Sequence, residues 1–287
     1  METTGHFKID IRQILQAKSP KSHKKVPDFV ISLLSKLVYQ DEINLFLEQN
    51  AGFSGIDLME RFIHYFNLTI HIQGIENLPT VDQKCIFASN HPLGGLDGIC
   101  LAAILGEKYD KQVLFIVNDI LHFIQPVQHL FIPINKHGSQ TRHSVHAIQD
   151  AFSSENQIIT FPAGLCSRKT KRGVEDIEWQ KMFITKSIEY QRDIVPVYFE
   201  AKNSELFYNL ANIRKFFRFK FNIEMLFLPR EMFKAKNATF TIYFGTPIPW
   251  QTFDSSQTSK QWANEVRDRV YSIKNSIGHH KRKQWKK

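Results

Sequence analysis

A short apolar run, Cys85-Ile86-Phe87-Ala88, is joined to a second one at residues 99–105 by Ser89-Asn90-His91-Pro92-Leu93-Gly94-Gly95-Leu96-Asp97-Gly98. The first run reads as a buried strand and the second as a helix. The stretch between them is therefore a strand-to-helix turn, a place where side chains are presented at the edge of a sheet. Pro92, Gly94 and Gly95 set the turn and let the backbone pass close to a ligand.

The same alternation continues along the chain. Strands are expected near 68–74, 84–88, 113–117, 131–134, 157–161, 194–199 and 239–244, and helices near 97–105, 140–152, 178–191 and 260–277. That interleaving predicts an α/β fold with a largely parallel central sheet flanked by helices. Residues 1–66 differ. Phe29, Val30, Leu33, Leu34, Leu37 and Val38 recur at helical spacing, residues 9–17 and 41–49 read as further helices, and Ser54-Gly55-Ile56-Asp57 resembles a capping box opening another. The expected organisation is an N-terminal helical lead-in (1–66), an α/β domain (67–278) and a basic tail (279–287).

The formal net charge of +9 points to an anionic partner: a membrane surface, nucleic acid or an acidic carrier protein. Paired Cys/His zinc spacing and aromatic RNA-binding strands are absent, which speaks against nucleic acid. The 24 phenylalanines suit a protein that meets lipid. Cys85, Cys100 and Cys166 form an odd set without metal spacing, as expected in a reducing cytoplasm. Residues 1–10 lack the apolar core of a signal peptide, and no run of apolar residues is long enough to cross a bilayer. The expected location is peripheral.

His91 is the titratable base of the turn and Asp97 its carboxylate. A carboxylate in reach of the imidazole fixes the tautomer and stabilises the imidazolium formed when the other nitrogen takes a proton. Taken alone, the pair reads more readily as a structural turn histidine and a helix N-cap.

Further motifs weigh on that choice. Asn90-His91 with a downstream aspartate is followed by Phe131-Ile132-Pro133-Ile134-Asn135-Lys136, then Phe161-Pro162-Ala163-Gly164-Leu165-Cys166-Ser167-Arg168, then Ile194-Val195-Pro196-Val197. In order and spacing these resemble the four blocks of the glycerolipid acyltransferases, over roughly residues 70–250. Two features set the chain apart. His91 and Asp97 are separated by one residue more than is usual in that family, which the glycine pair can absorb as a bulge. Ala163 stands where the family usually has a glutamate. Both are similar to a bacterial branch near the lyso-ornithine-lipid and lyso-glycine-lipid O-acyltransferases, the haemolysin-type proteins.

The resemblance implies a peripheral O-acyltransferase of membrane lipid biosynthesis at the cytoplasmic face of the inner membrane. Its acyl donor would be acyl carrier protein or coenzyme A, as a co-substrate rather than a cofactor. Its acceptor would be a lyso-lipid hydroxyl, tilted by Ala163 toward a lyso-aminolipid. The alternatives are a 1-acylglycerol-3-phosphate acyltransferase and a non-catalytic lipid-binding protein of the same fold. His91 and Asp97 would be catalytic, with no metal. Asn90, Gly94, Gly95, Phe161, Pro162, Gly164, Ser167, Arg168, Lys169, Lys171 and Arg172 would line the substrate site. Backbone N–H groups near Gly94, Gly95 and Gly164 are candidates to hold the oxyanion. Arg168 can grip a carboxylate or phosphate with two parallel hydrogen bonds. Cys166, without an activating partner, reads as structural.

Two basic stretches stay open. Residues 167–173 read as a solvated loop or as a head-group contact. Residues 213–221, where aromatics alternate with cations, read as a strand or as an interfacial helix. The tail, with Trp285 among lysines, suits an anionic membrane as well as it suits a segment without a role.

Overall fold

The computed structural model describes residues 7–18, 27–118, 124–134, 142–171, 173–217, 222–276 and 283–285. Several cations of the basic stretches and the tail lie outside the described residues: Arg172, Arg218, Lys220, Lys281, Arg282, Lys286 and Lys287, together with the end of the second block, Asn135-Lys136.

Four helices come first: α1 (Ile11–Lys18), α2 (Asp28–Leu37), α3 (Gln40–Gln49) and α4 (Gly55–Tyr65). Strands and helices then alternate through β1 (Thr69–Gln73), β2 (Cys85–Ser89), α5 (Leu96–Lys108), β3 (Val113–Asn118), β4 (Phe131–Ile134), α6 (Arg142–Ser153) and β5 (Gln157–Thr160). A short hairpin follows, β6 (Arg168–Thr170) and β7 (Gly173–Glu175). The chain continues with α7 (Met182–Tyr190), β8 (Asp193–Glu200), α8 (Glu205–Phe216), α9 (Leu228–Lys234), β9 (Thr239–Phe244), α10 (Ser259–Ser276) and β10 (Lys283–Trp285).

Among the described residues, eight strands form one sheet in the order β10-β1-β9-β8-β2-β5-β3-β4. Only the β1–β10 and β8–β9 pairs are antiparallel, so the sheet is mostly parallel, as the interleaved pattern predicted. Parallel strands need both faces covered. On β2, Cys85 and Phe87 join the core beneath α4 and α5, while Ile86 and Ala88 join the core beneath α6, α7 and α10. That two-sided burial is why β2 reads as an unbroken apolar run instead of an alternating one. The helix α4 lies directly on α5. A Cβ at Gly106 would come within 2.5 Å of Ile56 Cγ2, so the close approach of the two helices requires glycine there.

Two stretches left open by the sequence take defined structure. The tail is not wholly apart from the domain: residues 283–285 pair antiparallel with β1, and Trp285 packs against the core with its Nε1–H donated to Glu107. Of the two readings of residues 213–221, strand or helix, residues 213–216 are helix, since α8 runs to Phe216. The helix α8 begins at a Ser204 N-cap that accepts from the Phe207 N–H, a local signal its aromatic, cation-rich end conceals.

Candidate active site

The central strand β2 delivers His91 to the sheet's carboxyl edge, and the first turn of α5 delivers Asp97. His91 Nδ1 lies 3.0 Å from Asp97 Oδ2. The intervening residues close this gap because Gly94 takes a left-handed conformation, φ +78°. A Cβ there would stand 2.8 Å from Leu228 Cδ1 and 3.3 Å from Cys166 Cβ, so glycine is required for space as well as for torsion. Asp97 is fully buried and also accepts the N–H groups of Leu93 at 3.0 Å and Gly98 at 2.9 Å. Burial pushes its pKa up. The charge and hydrogen bond of His91 and those two N–H groups outweigh burial and hold the carboxyl below its usual range. An ionised Asp97 only accepts, so His91 Nδ1 carries the hydrogen and Nε2 the basic lone pair. The His91 ring stacks on Phe161, with centroids 4.1 Å apart, and keeps 16% of its side chain exposed.

The third block reaches the same place from the end of β5. The Ser167 N–H donates to the His91 carbonyl at 2.8 Å. The N–H of His91 donates to Asp176 Oδ1 at 3.2 Å. That oxygen also receives the Ser167 hydroxyl at 2.6 Å, and Asp176 Oδ2 receives Trp179 Nε1–H at 2.9 Å. Ser167 and Asp176 flank the β6–β7 hairpin at its base. Burial raises the Asp176 pKa, and the hydrogen bonds from Ser167, Trp179 and the His91 N–H offset this only in part. Sequence reasoning missed Asp176. It lies in a charged stretch with no pattern of its own, and only the hairpin's fold-back brings it to His91.

The remaining residues divide sharply. Asn90 is turned inward: its amide donates to the Phe199 carbonyl at 3.0 Å and accepts the Phe199 N–H at 2.7 Å. It extends the β2–β8 pairing from a buried position. Arg168, expected to grip a head group, instead pairs with the fully buried Glu224 at 2.9 Å and donates to the Cys166 carbonyl at 2.8 Å. Arg214 Nε lies 2.9 Å from the other Glu224 oxygen, close enough for an ion pair though not aligned for a hydrogen bond. Lys169 is exposed and pairs with Glu205 at 2.6 Å, and Lys171 is exposed. The Pro162 carbonyl accepts from the Gln180 N–H, and Gly164, at φ +66°, donates its N–H to the Phe161 carbonyl. Gly94 N–H leans toward Asp97 at 3.4 Å. Of the three glycines considered for an oxyanion, Gly95 at the start of α5 is the one whose N–H meets no acceptor among the described residues, and the space where its Cβ would stand is open. Ala163 is buried in the core with Ile86 and Ala88 and offers no polar group. Cys166 is buried, and its thiol is pushed up to about 11 by that burial, so it is no thiolate nucleophile.

The fold is thus a mostly parallel sheet with a histidine–aspartate pair at the mouth of its central strand. Residues 13–279 match the Acyltransferase family, and the chain belongs to it. It is similar to the lyso-glycine lipid O-acyltransferase of Phocaeicola vulgatus, 49% identical over 267 residues that cover 93% of this chain and 95% of that protein. It is also similar to the protein of that name from Bacteroides thetaiotaomicron, 48% identical over 93% of this chain and 98% of that one. Among solved structures it resembles the 1-acyl-sn-glycerophosphate (LPA) acyltransferase PlsC of Thermotoga maritima, with a TM-score of 0.50 and 15% identity over 89% of this chain and 98% of that chain. That last likeness concerns the fold alone.

Proposed function

We propose that this protein moves a fatty acyl chain from a thioester, on acyl carrier protein or coenzyme A, to the hydroxyl of a lyso-glycine lipid. The observation that carries the reading is the 3.0 Å contact between His91 Nδ1 and a buried, ionised Asp97. His91 Nε2 takes the proton of the acceptor hydroxyl as its oxygen attacks the thioester carbonyl. Asp97 steadies the imidazolium. The N–H of Gly95, beside the positive end of α5, holds the oxyanion of the tetrahedral intermediate. Collapse expels the thiolate, and the imidazolium returns the proton to it. The acceptor is assigned from the two relatives, with support from Ala163, whose apolar side chain leaves a head group no carboxylate partner at that position.

The protein works attached to the cytoplasmic face of the inner membrane. No helix among the described residues is long and apolar enough to cross a bilayer. Both α2 and α8 rest on the 3-10 turn Ile223–Phe227. Between them they expose Phe29 (72%), Leu33, Ile213 and Phe216 (81%), with Lys215 beside the last. Apolar rings beside cations suit an anionic lipid surface.

Purified protein, incubated with acyl carrier protein or coenzyme A thioesters and a synthetic lyso-glycine lipid, should yield the O-acylated lipid by mass spectrometry. Lysophosphatidic acid serves as the competing acceptor. Product with lysophosphatidic acid and none with the lyso-glycine lipid would reassign the acceptor. No product with either acceptor and either donor would contradict acyl transfer.

A further inference from the structure

We propose that Asp176 is a positioning residue for the reaction: from inside the protein it clamps the backbone of the catalytic histidine and fixes where the imidazole stands. The inference rests on His91 being the base. Both polar backbone groups of His91 are taken by the two ends of one hairpin, the N–H by Asp176 Oδ1 and the carbonyl by the Ser167 N–H. The Ser167 hydroxyl closes the ring by donating to the same carboxylate oxygen. Asp176 is itself held from outside. Its N–H donates to Tyr271 Oη at 2.7 Å, and its carbonyl accepts from Arg267 Nη2 at 2.8 Å, both on α10. Trp179 Nε1–H holds the second carboxylate oxygen. The turn thus has two carboxylates with separate tasks. Asp97 orients the ring through Nδ1, and Asp176 anchors the main chain that carries the ring.

The chemistry of the site requires a carboxylate at 176. Three N–H or O–H groups converge on its two oxygens, and an ionised carboxylate only accepts. Asparagine has one carbonyl oxygen, so its amide must face either Trp179 Nε1–H or the side shared by His91 and Ser167. The clamp cannot then be closed on all its partners. A buried donor left without an acceptor forces a local shift, and a shift of about 1 Å at a catalytic group costs on the order of 10²-fold in rate.

The charged and titratable groups around the site bear on the pH response. Facing Asp176 are His91 from the β2–α5 turn and Arg267 and Tyr271 from α10, with Glu175 paired to Arg267. Facing His91 are Asp97 and Asp176. Removing the negative charge of Asp176 disfavours the imidazolium, so the acid limb of kcat/KM should move to lower pH.

The test is steady-state kinetics of the full-length protein across pH. Asp176→Asn should lower kcat on the order of 10²-fold, leave the lyso-lipid KM within about twofold of wild type, and shift the acid limb downward. A simple loss of folded enzyme would lower kcat without moving the limb, and that result would overturn the proposal. So would wild-type kcat in a folded Asp176→Asn variant. If Asp176→Asn does not fold, Tyr271→Phe tests the clamp from its outer side: in a variant whose thermal unfolding matches wild type, kcat per folded enzyme should fall about 10-fold with the lyso-lipid KM within about twofold of wild type, and wild-type kcat there would overturn it. His91→Ala separates the two claims. An active His91→Ala enzyme removes the base mechanism itself, whereas an inactive His91→Ala with a fully active Asp176→Asn removes only the clamp.

Discussion

Glu224→Ala should destabilise the protein and slow it together. Glu224 is fully buried, with Arg168 Nη2 and Arg214 Nε each 2.9 Å from its carboxylate. Removing one member of a buried ion pair costs about 3–5 kcal/mol, because the partner charge is left uncompensated. Here the two arginine side chains keep 15% and 21% of their surface exposed and can reach water, which puts the cost at the lower end. A loss of about 3 kcal/mol corresponds to a fall in Tm of about 5 °C for a chain of this size. The rate follows because Arg168 also holds the Cys166 carbonyl, next to the Ser167 N–H that holds His91. The assay is thermal unfolding followed by circular dichroism, paired with turnover. Arg168→Ala should resemble Glu224→Ala in both readouts. A Tm within about 2 °C of wild type for Glu224→Ala would refute the structural role. An Arg168→Ala enzyme with unchanged Tm and a raised lyso-lipid KM would return that guanidinium to the acceptor's head group.

Three further outcomes follow from the geometry. Asp97 has a lowered pKa, so its contribution to stability is present above the ordinary carboxylate value of 3.8 and lost as pH falls through the folded value. The stability gap between wild type and Asp97→Asn, measured by urea unfolding, should be largest at neutral pH and narrow on acidification below 3.8, and a gap that widens there would contradict the assignment. Gly94→Ala should cost about 1–2 kcal/mol from its left-handed torsion alone, with a further loss from the contact on Leu228 and a fall in kcat; unchanged Tm and kcat would mean that the turn tolerates another path. Replacing Phe216 and Phe217 with serine should weaken sedimentation with anionic vesicles, and salt should weaken wild-type binding further. Equal binding to neutral and anionic vesicles at every salt concentration would assign attachment to the aromatics alone.

Much of the fold was legible because its strands and helices differ in period. Buried runs such as residues 85–88 and 157–160 stand between helical stretches, and each became a strand of the predicted sheet. The pairing of His91 with Asp97 was legible from the turn together with the blocks that follow it, not from the turn alone, where a structural histidine and a helix N-cap were the readier reading. The roles of Asn90, Arg168 and Asp176 could not. Each depends on a partner far along the chain: Phe199 for Asn90, Glu224 for Arg168, and His91 for Asp176. A cation beside a motif looks like a ligand until the buried carboxylate that neutralises it is seen. The role of residues 283–285 was hidden for the same reason, because a basic tail shows no alternation and its strand exists only against β1.

The central claim is that His91, oriented by Asp97, is the base that activates the acceptor hydroxyl. Its most direct test is the single-turnover rate of acyl transfer to the lyso-glycine lipid for wild type and His91→Ala, with folding checked by circular dichroism. His91 packs mainly through one ring stacked on Phe161, so the variant should fold. The account predicts that its rate falls by about 10²–10⁴-fold, the range that general-base catalysis supplies. A folded His91→Ala protein that transfers the acyl chain at the wild-type rate would contradict it.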